Sequence, residues 1–202
     1  MQQKGKLFVI SGPSGVGKST IRERIINTYN NFWYSISMTT RTPRENEINE
    51  KDYYFVSKEE FIKNIKENNF LEYAEVYKDI FYGTPKNKVI EKLNKGINII
   101  LEIDVEGALN IQNNYHEAIL IFICPPSIKE LKKRLLERQT DKKEVIEERI
   151  NKAEYEISFK DRYDYIITNN NLEIAIKDII NIIEKELKNN RKKTVQHKKS
   201  SF

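Results

Sequence analysis

Residues Gly12-Pro13-Ser14-Gly15-Val16-Gly17-Lys18-Ser19 match the pattern G-x-x-x-x-G-K-[ST]. Closely spaced glycines let the backbone curl until successive N–H groups converge, which makes a cradle for phosphate oxygens. Lys18 adds a charge at the β- and γ-phosphates, and the start of the following helix adds its dipole. The Ser19 hydroxyl, next to Thr20, offers Mg²⁺ an oxygen ligand. An apolar strand before the loop and a helical pattern after it supply the frame that this chemistry needs. The implied ligand is a nucleoside triphosphate.

A second set of residues has the chemistry of a phosphate acceptor site. In Ser35-Ile36-Ser37-Met38-Thr39-Thr40-Arg41-Thr42-Pro43-Arg44, two arginines stand three apart around Pro43, spaced to fork on one phosphate or else to lie solvated in a loop. Tyr53 and Tyr82 can donate phenolic hydrogens to the same phosphate or serve as strand packing. Glu72 and Glu75 supply carboxylates. Asp104 follows the apolar run Ile99–Ile103, so it stands at a strand end where an open α/β sheet places its ligand crevice. There it can face Mg²⁺ or substrate, as can Glu102 through water, or it can cap a helix. Arg134 and Arg138 lie one helical turn apart with Arg149 further on, and cations of this kind can stabilise a transferring phosphoryl group or form a solvated face.

The elements that must hold these residues follow from the hydrophobic pattern. Leu7–Ile10, Trp33–Ser37, Asn98–Ile103, Ile119–Cys124 and Tyr165–Thr168 read as buried strands. Ile21, Ile25, Ile26 and Tyr29 form a helical stripe, as do Leu172, Ile176, Ile179, Ile183 and Leu187. Ser127–Glu137 reads as a helix, and Asp141 with Glu144 predicts a second start. Strands alternating with helices imply a parallel sheet covered on both faces. Between Thr39 and about Lys88 charged turns break this rhythm, so the stretch reads as an inserted lobe.

The chain has 202 residues, 39% hydrophobic and 32% charged, enough to bury one core. No apolar run approaches the ~20 residues of a membrane span, and the first one, at Leu7, leads straight into the glycine loop, so neither a membrane segment nor a leader is expected. A single cysteine, Cys124, suits a reducing, cytoplasmic setting and reads as a small core residue. The net charge of +5 is concentrated at the C-terminus, where seven Lys/Arg between Lys185 and Phe202 face Glu186 alone. The remainder is near neutral and gives no reason to expect a nucleic-acid polymer as partner. The last residues, 189–202, read as a disordered basic tail. The sequence specifies no oligomeric state.

Gly12–Thr20, Ser37–Arg44, Asp52–Val56, Phe70–Ala74, Tyr82-Gly83-Thr84 and Leu101-Glu102-Ile103-Asp104-Val105-Glu106-Gly107 resemble, in order and spacing, the motifs of guanylate kinases, over about Lys4 to Leu187. The resemblance implies an α/β P-loop kinase with a five-stranded parallel sheet covered by helices. Its core comprises about 4–36, 89–128 and 155–188, with a GMP-binding lobe at about 37–88 and a helical lid at about 129–154. It implies transfer of the γ-phosphoryl of Mg-ATP to GMP or dGMP, giving ADP and GDP, in purine nucleotide metabolism. Arg41, Arg44, Tyr53 and Tyr82 would hold the GMP phosphate, while Ser37, Glu72, Thr84 and Asp104 would read guanine. The loop Gly12–Thr20 and Asn169 would hold ATP, with Lys18, Arg41, Arg134, Arg138 and Arg149 at the transferring group.

An ionised, acceptor-only Glu72 suits guanine N1–H and N2–H₂, whereas adenine N1 would present it with a lone pair. Three departures from the family pattern stand out. One extra residue between Glu72 and Tyr82 predicts a bulge through Lys78-Asp79-Ile80. Gln139 replaces a common glycine, and Asn170 and Asn171 replace acids. A scaffold module of similar fold that binds proteins is the alternative class, and its usual loss of the phosphate loop contrasts with the intact Lys18. A P-loop kinase for another phosphorylated acceptor, such as a ribose bisphosphate, would not need Ser37 and Glu72.

Overall fold

The computed structural model describes residues 4–137 and 143–199, the last ten as backbone alone. β1 (Leu7–Ser11) is buried along its whole length, the condition of a strand covered on both faces. It runs into the glycine loop, after which α1 (Lys18–Thr28) buries Ile21 and Ile25 and leads to β2 (Phe32–Tyr34). The chain then leaves the sheet through β3 (Met38–Thr39), β4 (Tyr54–Phe55), α2 (Lys58–Lys66), β5 (Phe70–Tyr77) and β6 (Ile80–Pro85). It returns by α3 (Lys86–Asn94) to β7 (Asn98–Glu102), α4 (Val105–Asn114) and β8 (Ile119–Cys124). The helices α5 (Ile128–Glu137) and α6 (Lys143–Ile157) precede β9 (Tyr165–Thr168), and α7 (Leu172–Lys199) ends the described chain.

The main sheet has the order β2-β7-β1-β8-β9, and every pairing is parallel. Its alternating side chains divide the core. Phe8 and Ile10 pack with Ile21, Ile25, Ile176, Ile179 and Ile183 on one face, while Leu7 and Val9 pack with Val89, Leu93, Ala108 and Ile111 on the other. The five-stranded parallel sheet expected from the sequence is therefore present. Cys124 ends β8, buried, and burial raises its thiol pKa. Among the described residues no helix is long and apolar enough to cross a membrane.

The inserted stretch forms a four-stranded sheet of order β4-β3-β6-β5, with β3–β4 parallel and the other pairs antiparallel. Its helix α2 went unpredicted, although Ser57 and Glu60 have capping spacing and the Glu60 N–H does donate to Ser57 Oγ at 3.1 Å. Phe61, fully buried on α2, stacks on Phe70 at 4.5 Å between ring centres and lies 5.6 Å from Phe81.

Other expectations need correction. The strand expected at Trp33–Ser37 is Phe32–Tyr34, because the chain must turn into the lobe after Tyr34. The run Asn98–Ile103 stops pairing as a strand at Glu102, where Ile103 and Asp104 turn toward α4. Residues 189–199, expected as a disordered tail, continue α7 to Lys199, since no Gly or Pro interrupts them. The capping pair at Asp141, together with Gln139, lies outside the described residues.

Truncating Phe61 to Ala should empty the lobe's aromatic core and lower stability by about 3–5 kcal/mol in urea denaturation. A change under 1 kcal/mol would show that the lobe does not depend on that ring.

Candidate active site

Where β1 ends, the backbone must clear β8 to form the phosphate loop. Gly12 has φ 139°, and a Cβ there would lie 2.3 Å from the Ile123 carbonyl oxygen, so only glycine fits. Gly17, at φ 99°, caps α1, and its missing side chain leaves room for Asn169, whose Nδ2 donates to the Val16 carbonyl at 2.8 Å. Lys18 Nζ donates to the carbonyls of Gly12 (2.6 Å) and Pro13 (2.9 Å). Val16 is fully buried, so its part and that of Pro13 in the loop is through the backbone.

β7 ends beside the loop because Ile10 pairs with Glu102. Ser19 Oγ donates to Glu102 Oε1 at 2.7 Å, and Arg22 Nε lies 3.3 Å from Glu102 Oε2 with its guanidinium 4.2 Å from the Tyr34 ring centre. Asp104 Oδ1 accepts from the Gly107 N–H at 2.8 Å, so it does cap α4, and it also lines the cleft.

One cleft of about 320 Å³ joins Gly12, Ser14, Gly15, Gly17, Lys18, Ser19 and Thr20 to the lobe. Its lobe side carries Ser37, Arg41, Arg44, Tyr53, Glu72 and Tyr82. Arg41 is held from three directions. Its Nε donates to Tyr82 Oη at 3.1 Å, one terminal nitrogen to the Thr42 carbonyl at 2.7 Å, and the other to Glu47 at 2.8 Å. Glu47 also accepts the Arg44 N–H at 2.8 Å. Burial pushes the Glu47 carboxyl up, but these bonds and the charge of Arg41 outweigh it and hold it below the usual range. Glu47 escaped the sequence reading, although an acid three residues beyond a paired arginine is a signal for such a counter-ion.

The base end is drier. Glu72 is 6% exposed, and burial, aided by the charge of Asp104, raises its pKa to about 8. The expected ionised carboxylate is therefore largely protonated near pH 7 before a ligand arrives. Thr84, expected to touch the base, is fully buried behind it and donates to Glu72 Oε1 at 2.6 Å. Gly107 makes room on the other side, since a Cβ there would come 2.6 Å from Glu72 Oε2. The expected bulge through Lys78-Asp79-Ile80 is matched by a register shift just before it, within β5 between Glu75 and Tyr77, where Val76 is the additional residue of the ladder. Beyond it Glu72 pairs with Thr84 and Ala74 with Tyr82, so Tyr82 still reaches the site.

The helices after β8 close the remaining sides. Arg134 Nε donates to Glu130 at 3.1 Å, and a terminal nitrogen donates to the Asn169 carbonyl at 3.1 Å. Arg134 and Asn169 flank a second hollow, lined also by Gly15, Gly17, Thr20, Glu137 and Leu172. Arg149 lines the main cleft along with Lys152 and Glu156, two residues that no motif singled out. Arg138 lies outside the described residues.

A family model described as guanylate kinase matches residues 4–186. The chain belongs to the guanylate kinase family. It is 52% identical over 184 residues to a guanylate kinase of Clostridium tetani, covering 91% of this chain and 88% of that protein. With a guanylate kinase of Oceanobacillus iheyensis it shares 42% identity over 199 residues, 98% and 96% of the two chains. The crystal structure of guanylate kinase from Anaplasma phagocytophilum superposes with a TM-score of 0.77 at 34% identity, covering 92% of this chain and 87% of that one. Like other guanylate kinases, the protein is a kinase of the P-loop type, with an α/β fold.

The raised pKa of Glu72 makes the stability of the fold depend on pH. Unfolded, the carboxyl loses its proton above about 4.5, while folded it keeps it to about 8. The unfolded state therefore binds fewer protons in that window, and the stability of the nucleotide-free protein falls as pH rises through it. Glu72→Gln should flatten the melting temperature against pH between about 5 and 8, and an unchanged slope would place the perturbed group elsewhere.

Proposed function

We propose that the main cleft holds GMP and the phosphates of ATP together, with the lobe residues reading the acceptor and the loop residues the donor. The activity of the family is ATP-dependent phosphorylation of GMP to GDP. The observation that carries the residue roles is the single cleft shared by Lys18 on one wall and Arg41, Tyr82 and Glu72 on the other.

In this reading an oxygen of the GMP phosphate attacks the γ-phosphorus of ATP, the bond from that phosphorus to the β,γ-bridging oxygen breaks, and ADP leaves as GDP forms. Arg41, Arg44 and the hydroxyls of Tyr53 and Tyr82 hold the attacking phosphate in line. The existing bonds of Arg41 keep it in position before substrate arrives, so little reorganisation accompanies the reaction. Lys18 exchanges its loop carbonyls for the β- and γ-phosphates, and the loop N–H groups take the remaining charge. Arg134, Arg138 and Arg149 come from the lid, and closure of the lid over the cleft excludes water. Asn169 and the second hollow serve the adenine side.

At the base, Glu72 gives up its proton to become the acceptor for guanine N1–H and N2–H₂. Ser37 serves O6 and Asp104 completes the wall, while Thr84 holds Glu72. The same donors would accept dGMP.

The hard oxygens of Ser19, Glu102 and Asp104 would suit Mg²⁺, since Ser19 Oγ donates to Glu102 and all three residues line one cleft. Among the described residues no cluster of three acids, histidines or cysteines could hold a metal alone, so phosphate oxygens would complete its shell. When bound, the ion neutralises charge on the β- and γ-phosphates. A reducing, cytoplasmic setting suits the one buried thiol.

Three measurements test this assignment. Lys18→Met should lower kcat by about 10²–10³ while GMP affinity stays within a few fold, since Lys18 meets the donor. Turnover equal to wild type in a folded mutant would sink the loop assignment. ADP release with GMP, dGMP, AMP, UMP and CMP offered in turn should be fast for the first two alone. Glu72→Gln should lower kcat/KM for GMP by about 10–150-fold and affect AMP much less. An unaltered GMP/AMP ratio would remove Glu72 as the base reader.

A further inference from the structure

The helix α6 presents Arg149, Lys152 and Glu156 to the cleft at spacings of three and four residues, one face of a helix. Its other face, through Ile146, Ile150 and Ala153, packs on Leu131 and Leu135 of α5. Lys152 Nζ crosses to the lobe and donates to the Val76 carbonyl at 3.0 Å. Val76 is the extra residue of the bulge between Glu75 and Tyr77. A bulged residue is left unpaired in the ladder, which explains how its carbonyl can serve a lysine from another element.

One turn further along α6, Glu156 is 6% exposed. The charges of Lys18, Lys152, Asp104 and Glu106 act on it. Burial raises its pKa to about 7, with the two lysines pulling the other way. A carboxylate repels phosphate, so an acid at this place has the chemistry to act on the cations and not on the substrates.

We propose that α6 is a brace between the acceptor lobe and the phosphate-loop side of the cleft, in which Lys152 on the Val76 carbonyl and the buried Glu156, which lines the same cleft as Lys18, are positioning residues. The brace makes occupancy of the lobe by GMP favour binding of the triphosphate. It rests on the assignment of the two nucleotides given above. Lys152 and Glu156 sit one pitch apart on a single helix, so displacement of the lobe at Val76 is carried to the carboxyl that shares the cleft with Lys18. Coupling between two sites is a free energy and works in both directions, so it can be read without turnover.

The test is calorimetric titration of the full chain with a non-hydrolysable ATP analogue, with and without saturating GMP. The variants are Lys152→Met, Lys152→Arg, Glu156→Gln and deletion of Val76, which would leave Glu75 opposite Phe81 and Tyr77 opposite Ile80 in regular pairing. In wild type, GMP should tighten the analogue by about 5–50-fold. Lys152→Met, Glu156→Gln and the deletion should each bring that ratio below about twofold, with affinity for either nucleotide alone within about threefold, and Lys152→Arg should restore it. Lys152→Met combined with the deletion should be no worse than either alone. A wild-type ratio of one, or a ratio preserved in Lys152→Met, overturns the brace. Failure of wild type to bind GMP or the analogue at all overturns the site assignment instead. If circular dichroism shows the deletion unfolded, the Met and Arg variants of Lys152 decide the matter.

Discussion

The parallel hydrogen bonding of β1 between β7 and β8 sets the geometry on which everything else depends. With Ile10 opposite both Glu102 and Ile121, the strand delivers the glycine loop beside the carboxylate that ends β7. A slip of one residue would turn every side chain of β1 to the opposite face and separate Ser19 from Glu102. The apolar residues on both faces of β1 forbid that slip, so core packing and site geometry are one constraint. The close pass of Gly12 by the Ile123 carbonyl belongs to the same arrangement, because a tighter sheet leaves no space for a Cβ there.

Bringing two polyanions together requires cations that are oriented beforehand and acids that do not spoil the field. Four cations in and beside the site have local acceptors. Arg41 has Glu47, Arg22 has Glu102, Arg134 has Glu130 and the Asn169 carbonyl, and Lys18 has its own loop. These contacts lower the entropy that would be lost on ordering long side chains at the moment of binding. The buried acids Glu72 and Glu156 are handled differently, since desolvation favours their neutral forms and so softens their repulsion of incoming phosphate.

The core was legible from the sequence because its signals are local. Ile119–Cys124 and Tyr165–Thr168 are strands at the predicted residues, and the loop Gly12–Ser19 carries its own mechanism in its composition. In the lobe the site residues are legible by type and order but the strands are not, because β3 and β4 are two residues each and acquire their identity only by pairing across the lobe. Arg41, Tyr82 and Glu72 could be picked out by type and order, whereas the partnership of Arg41 with Glu47 and the burial of Thr84 behind Glu72 are matters of three-dimensional packing. Lys152 and Glu156 were invisible for a similar reason. On an exposed-looking charged helix, only the neighbouring loop and lobe reveal which face is enclosed. A bulge in this stretch is legible from its length, whereas its position at Val76 is decided by strand pairing.

Cys124, at the end of β8, gives the protein a property unrelated to catalysis. The chain's one thiol is buried, and its pKa is raised, so little thiolate meets solvent at neutral pH. Cysteines introduced at exposed positions would therefore react with maleimide dyes against a nearly silent background. A fluorophore pair on Lys58 of the lobe and Lys132 of the following helices would report the distance between those elements in solution, with no native cysteine to remove first.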